Sequence, residues 1–149
     1  MIYIAPFEAI MRFLTVSQSP RGEATVVGSY DDLLNALRVL LASIDVNEDR
    51  YLERNPDIAQ AIAAGEVESA KRHFVEHGYF EGRLPFPITV DEWWYLSQNP
   101  DVAENIRKGV EESAQRHFEL HGYREGRLPF PLDGSGSRRK ADRTIRLVS

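Results

Sequence analysis

Cysteine is absent from the 149 residues, which removes disulfides and thiolate metal sites and fits a reducing compartment. Apolar runs are short, and none approaches the roughly 18 residues of a membrane-spanning helix. Also missing are a glycine-rich phosphate loop, a serine or cysteine nucleophile in a recognisable elbow, and a distinctive pair of carboxylates. Residues 1–16 are apolar, but Glu8 and Arg12 interrupt them, no basic region opens them and no small-residue cleavage site follows. They are therefore read as folded protein rather than a secretory leader. A cytoplasmic protein with no cofactor is expected, and no reaction is written in its motifs.

Bulk composition is ordinary. With 42% hydrophobic and 28% charged residues, the chain belongs with globular proteins, and its length suits one domain with a real core plus tails. Charge is uneven along it. Residues 138–149 carry Arg138, Arg139, Lys140, Arg143 and Arg146 against Asp142, a local +4, so the net −5 leaves −9 on the other 137 residues. An acidic body argues against a nucleic-acid face on the repeats described next. Contact with a membrane or with phosphate is open only to the tail, where plain solvation is the commoner use of such a charge run.

What the chain does have is one unit written twice. Residues 51–87 and 95–131 align without a gap at a spacing of 44, with 24 of 37 positions identical. Such an internal period marks a duplicated structural unit. Ile44 to Glu48 corresponds in the same way to Ile88 to Glu92, so the repeats extend over 45–88 and 89–132.

Each repeat reads as three short helices. The first runs from about Asn47 to Arg54 and from Asp91 to Gln98, opened by a capping Asn or Asp. The second opens at Asn-Pro-Asp, with Asn55 and Asn99 as N-caps, Pro56 and Pro100 in the first helical position, and Asp57 and Asp101 at the electropositive end. Gly65 and Gly109 stop it in the left-handed conformation. The third spans roughly Val67 to His77 and Glu111 to His121, with Gly78 and Gly122 expected to stop it likewise. Pro85-Phe86-Pro87 and Pro129-Phe130-Pro131 cannot continue a helix and read as extended straps, pinned to the core by Phe86 and Phe130.

Ahead of the repeats, Ser29 and Asp32 make a capping-box start. Leu33, Leu34, Leu37, Leu40, Leu41 and Ile44 follow at helical spacing, a stripe expected to bury against the first repeat. For residues 1–28 two structures compete. One is a helix after Pro6 with Phe7, Ile10, Met11 and Leu14 on one face. The other has strands at Ile2 to Ala5 and Arg12 to Val16, the later part forming a hairpin with Ala24 to Val27. The expected fold is thus mainly α: two tandem 44-residue three-helix repeats within a helical domain at 29–132, capped by an N-terminal amphipathic helix. A small β-hairpin falls within residues 10–28, residues 1–28 form an N-terminal hairpin or oligomerisation element, and a flexible basic tail occupies 133–149. Two repeats bury less than the three or so that a solenoid needs, so self-association is expected.

Four histidines are the sharpest chemical candidates. His73 and His77 are four apart on one helix face, as are His117 and His121, and could share a metal. The first copy even spells the inverted zinc-protease pattern, HFVEH, whereas the second reads HFELH and moves the acid to Glu119. A structural role accounts for more: His77 and His121 complement a negative helix end, and His73 and His117 bond to backbone or to Asp57 and Asp101. Arg83 and Arg127 could contact an anion, but a fork onto Asp57 or Glu68, and their equivalents, is the better use of them. Trp93 and Trp94 replace Asp49 and Arg50 of the first copy. One should face inward and the other outward, where an indole suits a protein or a sugar.

The string Tyr-Leu-x-x-Asn-Pro-Asp-(Ile/Val)-Ala, followed after a glycine by Ser-Ala-x-x-His-Phe-x-x-His-Gly-x-x-Glu-Gly-Arg, resembles a bacterial repeat found beside glycosyltransferases of surface-polysaccharide synthesis and in large surface or secreted proteins. The resemblance covers residues 51–87 and 95–131. It implies an accessory helical module, with no catalytic residues to carry over. The leading expectation is a non-enzymatic adaptor binding another protein, such as a glycosyltransferase or other polysaccharide-synthesis component, through Trp93 and Trp94 or the N-terminal segment. The alternative is a carbohydrate-binding module in which Trp93, Trp94, Tyr79 and Tyr123 stack on polysaccharide, and a histidine-metal enzyme is the minor one.

Overall fold

The computed structural model describes residues 5–132; Ile2 to Ile4 and the expected basic tail at 133–149 lie outside them. The protein is mainly α-helical with one small antiparallel hairpin. No helix among the described residues is long and apolar enough to cross a membrane. The chain divides into two compact units, Met1–Phe80 and Glu81–Ser149, where composition and length suggested one domain. Each unit closes a core of its own, and the division falls at 80/81 rather than at the expected repeat boundary of 88/89, because Leu84 and Ile88, the end of the first repeat, pack with the second core. In the first unit Leu41, Tyr51, Ile58, Ala70 and Phe74 are buried together. Leu84, Val90, Tyr95, Val102, Ala114 and Phe118 are buried together in the second.

The helix of one reading and the hairpin of the other occur in succession, while most of the strand expected at Ile2 to Ala5 lies outside the described residues. Helix α1 (Phe7–Met11) follows Pro6, whose fixed φ suits a helix start. A turn closed by Leu14 N–H on the Met11 carbonyl at 3.0 Å then delays the first strand. Strand β1 is therefore Thr15–Gln18 rather than Arg12 to Val16, and it pairs with β2 (Ala24–Val27) from Thr15 opposite Val27 to Gln18 opposite Ala24. Gly22, at φ +82°, and the bond from its N–H to the Ser19 carbonyl make the reversal.

Helix α2 (Tyr30–Leu41) has the expected capping box: Ser29 Oγ accepts from Asp32 N–H at 3.1 Å, and Asp32 accepts from Ser29 N–H at 2.9 Å. Its leucine stripe is only partly covered. Ala36 and Leu41 are buried, whereas Leu33 and Leu40 remain 45% and 40% exposed. The first repeat offers a single small core, and α2 carries more apolar surface than that core takes up.

Within the repeats, helices α3 (Glu48–Arg54) and α6 (Glu92–Gln98) are capped by Asn47 and Asp91 as the sequence indicates. Helices α4 (Pro56–Ala63) and α7 (Pro100–Arg107) begin on proline. The asparagines before them do not cap with their side chains. Instead the Asn55 and Asn99 amides donate to the Tyr51 and Tyr95 carbonyls at 2.7 Å, bonding the end of one helix to the start of the next. Gly65 and Gly109 take positive φ as expected, with the next residue's N–H closing back on Ala61 and Asn105.

The third helix departs from its expected form. It begins late, as α5 (Ala70–His73) and α8 (Ala114–His117), because Ser69 and Ser113 cap it by accepting from Arg72 and Arg116 N–H at 3.1 Å. It then widens into a π-helical turn, Phe74–Gly78 and Phe118–Gly122, in which Tyr79 and Tyr123 N–H reach back five residues to the Phe74 and Phe118 carbonyls at 2.9 Å. Gly78 and Gly122 are not left-handed stops; the positive φ values fall at Gly82 and Gly126. The straps differ too. Phe86 and Phe130 stay 41% and 42% exposed, and in the second unit it is Leu84 that enters the core. A ring between two prolines has no helical neighbour to hold it inward.

Candidate functional site

The polar centre of each repeat is a buried phenol on a buried imidazole. Helix α3 places Tyr51, fully buried, with its hydroxyl 2.9 Å from His73 Nδ1. Helix α6 repeats the arrangement with Tyr95 and His117 at 3.0 Å. One group donates and the other accepts, so with the phenol as donor the imidazole carries its proton on Nε2. Burial pushes the Tyr95 phenol above its ordinary value. Phe74 and Phe118 pack edge-on against the same tyrosines, with ring centroids 6.0 Å apart in both copies.

The glycines close the arrangement. A Cβ on Gly78 would lie 2.1 Å from the Tyr51 hydroxyl oxygen, and one on Gly122 would lie 2.2 Å from that of Tyr95. The wide π-turn presents bare backbone to the phenol, and any side chain there would displace it.

This geometry reassigns the histidines. In the second repeat His117 pairs with Tyr95 and not with Asp101, because Arg127 takes that carboxylate with both forks, at 3.1 and 2.9 Å. His77 and His121 are exposed, with ring centroids 5.7 and 5.6 Å from His73 and His117. Glu76, the acid of the HFVEH string, accepts from Arg72 Nε at 2.9 Å, and Arg72 also holds Glu68. Glu119 accepts from Gln115 at 2.8 Å. Among the described residues no group of three or more histidine, aspartate or glutamate side chains is placed to hold a metal.

Arg127 also bonds Asn99 at 2.7 Å and Glu125 at 2.6 Å, so the fork expected of it is made within its own unit. Arg83 bonds Glu81 at 2.7 Å. The Asp101 hydrogen bonds, above all, hold the Arg127 guanidinium above its ordinary value, and the same bonds hold the Asp101 carboxyl below its own. The sign follows: the pair's contribution is complete above the ordinary carboxylate value of about 4 and is lost as pH falls below it. Asp101 is largely exposed, so Asp101→Asn is expected to cost less than about 1 kcal/mol at neutral pH. Urea unfolding should show that difference shrinking progressively as pH falls below about 4.

The four aromatic candidates separate by exposure. Tyr79 lies edge-on to Phe74 and Phe80, and Tyr123 lies edge-on to Phe118 at the margin of the second core. Trp94 is half-buried, while Trp93 is 56% exposed, as one inward and one outward indole would be. Asp91 N–H donates to the Pro129 carbonyl at 2.9 Å, which ties the strap to the start of α6. The exposed side chains of Leu128 and Phe130 flank that bond along the strap, and exposed Trp93 follows it two residues on in α6. Gln115 fastens the preceding segment, accepting from Val90 N–H at 2.9 Å and donating to the Ile88 carbonyl at 2.8 Å. Its counterpart in the first copy is Lys71.

Sequence reasoning passed over Tyr51 and Tyr95. The signal was present: a tyrosine opens each copy, 22 residues before a retained histidine, and helix punctuation explains neither residue. No family model, no curated protein and no solved structure matches the chain.

Proposed function

We propose that the protein is a non-enzymatic interaction module that binds another protein through the second unit, around Trp93. One observation carries this reading: His117 and Arg127, which have counterparts in the first copy, are used inside their own unit, while the position where the copies differ most in kind presents an indole outward. His117 is bonded in the core and Arg127 is committed to Asp101, Asn99 and Glu125. Trp93, Leu128 and Phe130 stay exposed beside the bond from Asp91 to Pro129. Exposed aromatic and aliphatic side chains grouped in this way suit a protein interface. The resemblance of the repeats to those beside glycosyltransferases supports a cytoplasmic partner from surface-polysaccharide synthesis.

Stacking of a sugar ring on Trp93 is the second reading, favoured by the exposure of that flat surface. Crosslinking in the native cell with wild-type and Trp93→Ala proteins separates the two, together with tryptophan fluorescence against a glycan panel. The protein-binding reading predicts one recurrent crosslinked polypeptide whose purified form binds Trp93→Ala about 30-fold more weakly, as for an interface anchor worth about 2 kcal/mol. It also predicts no response to glycans. A saturable glycan response that Trp93→Ala abolishes would establish the sugar reading instead.

A further inference from the structure

We infer that a second copy of this chain docks on the N-terminal segment, with helix α2 packed antiparallel against its own twin. The outward leucines of α2 are Leu33 and Leu40, with half-buried Leu37 between them. The spacing i, i+4, i+7 is a helix–helix seam. Antiparallel apposition about a twofold axis sets Leu33 of one copy against Leu40 of the other, so the seam is complementary to itself.

The ends of the helix agree with that direction. Asp31 and Asp32 stand at its N-terminal end and Arg38 in its last turn. Antiparallel pairing keeps the acidic N-terminal ends of the two copies apart and opposes the two helix dipoles, whereas parallel pairing sets like against like; Arg38 itself is held within its own copy, over the Phe80 ring at 5.5 Å and on Asn35. In a chain that is 28% charged, the stretch from Ala24 to Tyr30 carries no charge at all. Depletion of charge at an exposed apolar surface is the mark of an interface centre.

The neighbouring elements enlarge the patch. Helix α1 packs against α2, and Phe7 on it is exposed, as are Val16, Val26 and Val27 of the hairpin and Tyr30, the last at 73%. Rings of roughly 150–250 Å² each at Phe7 and Tyr30 are a substantial part of the about 800 Å² per partner that a stable dimer takes. Every strand residue of the hairpin is exposed. The bond from Ser19 N–H to the Glu23 carbonyl fixes which pairs share hydrogen bonds, so by alternation Ala24 and Val26 turn their backbone groups outward. That edge lacks the charges and proline that usually protect one, whereas Pro20 and Arg21 follow the other strand.

Sedimentation equilibrium of the full chain tests this, with Leu33→Gln/Leu40→Gln and Trp93→Ala as the variants. The expected result is a dimer for the wild type and for Trp93→Ala. The leucine double variant should dissociate at least about tenfold more readily, with helical circular dichroism unchanged because neither leucine is in the core. A second arm introduces the only two cysteines of the chain. Leu33→Cys/Leu40→Cys should oxidise to a crosslinked dimer in which Cys at 33 joins Cys at 40 of the other copy, as read by mass spectrometry of the linked peptides. A monomeric wild type at tens of micromolar, or a dimer that the double variant leaves intact, overturns the proposal. Because the Trp93 surface lies in the other unit, loss of partner binding and loss of self-association are read out separately.

Discussion

Replacing Gly122 by alanine is expected to destabilise the second unit by about 3–5 kcal/mol. The new methyl would fall 2.2 Å from the Tyr95 hydroxyl oxygen, a separation that no unbonded carbon holds, and a tight 3.2 Å from a ring carbon of Phe118. The phenol must move, and moving it strains a filled core at about 1–3 kcal/mol and leaves His117 Nδ1 without its partner in a buried site, a further 1–3 kcal/mol. Backbone conformation is not the reason, since Gly122 does not have positive φ. Gly126 offers the contrast: its φ is +73° and nothing lies within 4 Å of a Cβ there, so alanine at that position is strained by conformation alone. Gly78 stands to Tyr51 as Gly122 does to Tyr95, and Gly78→Ala is expected to act alike on the first unit. Urea unfolding followed by circular dichroism measures the change.

Phe118→Ala is expected to cost about 3–5 kcal/mol by the same measurement, the range for removing a buried ring. Phe118 is fully buried, and its ring meets Tyr95 and Tyr123 edge-on at 6.0 and 6.1 Å. Alanine there removes the wall on which both tyrosines rest. Trp93→Ala, which deletes a larger but exposed ring, should leave stability within about 0.5 kcal/mol. Equal losses at the two positions would mean that Trp93 is part of the fold rather than of a surface.

The difference between these positions was only partly legible in the sequence. Features set by local chemistry read well: the proline helix starts, the left-handed Gly65 and Gly109, and the capping box at Ser29 all follow from neighbours within a few residues. Gly78 and Gly122 read wrongly because a glycine after a helix has two uses, conformational freedom and close approach, and only the tertiary position of a tyrosine 27 residues away decides between them. The asparagines of the Asn-Pro-Asp starts misled for a related reason. An N-cap position satisfies an orphan donor in most helices, but here the preceding helix ends on the same residue and its Tyr carbonyl takes the amide. The strap phenylalanines were expected inside on hydrophobicity alone, and backbone geometry between two prolines overrode that. For the candidate site, one inward and one outward indole and the Arg127 pairing could be anticipated from residue type, but which indole faces out is decided by the turn of α6 on its core. The Tyr–His pair required two matched residues 22 apart to be weighed together.

The pair also explains why the histidines recur although the HFVEH string does not. His73 and His117 are retained in both copies with their tyrosines, whereas the acid between the histidines has a different partner in each copy, Arg72 for Glu76 and Gln115 for Glu119. The repeat is thus a scaffold whose polar core is complete in itself, and divergence on its surface costs the fold little.

That claim rests on the phenolic oxygen occupying the place where a side chain at Gly122 would be. The most direct measurement is the double-mutant cycle of Gly122→Ala with Tyr95→Phe. Removing the hydroxyl leaves the nearest tyrosine ring carbon at 3.4 Å from the new methyl, an ordinary contact. The cycle is predicted to show that Gly122→Ala, severe in the wild-type background, costs less than about 1.5 kcal/mol once Tyr95 is phenylalanine, a coupling of about 2 kcal/mol or more between the two sites. Additive losses, with Gly122→Ala equally damaging in both backgrounds, would contradict the account.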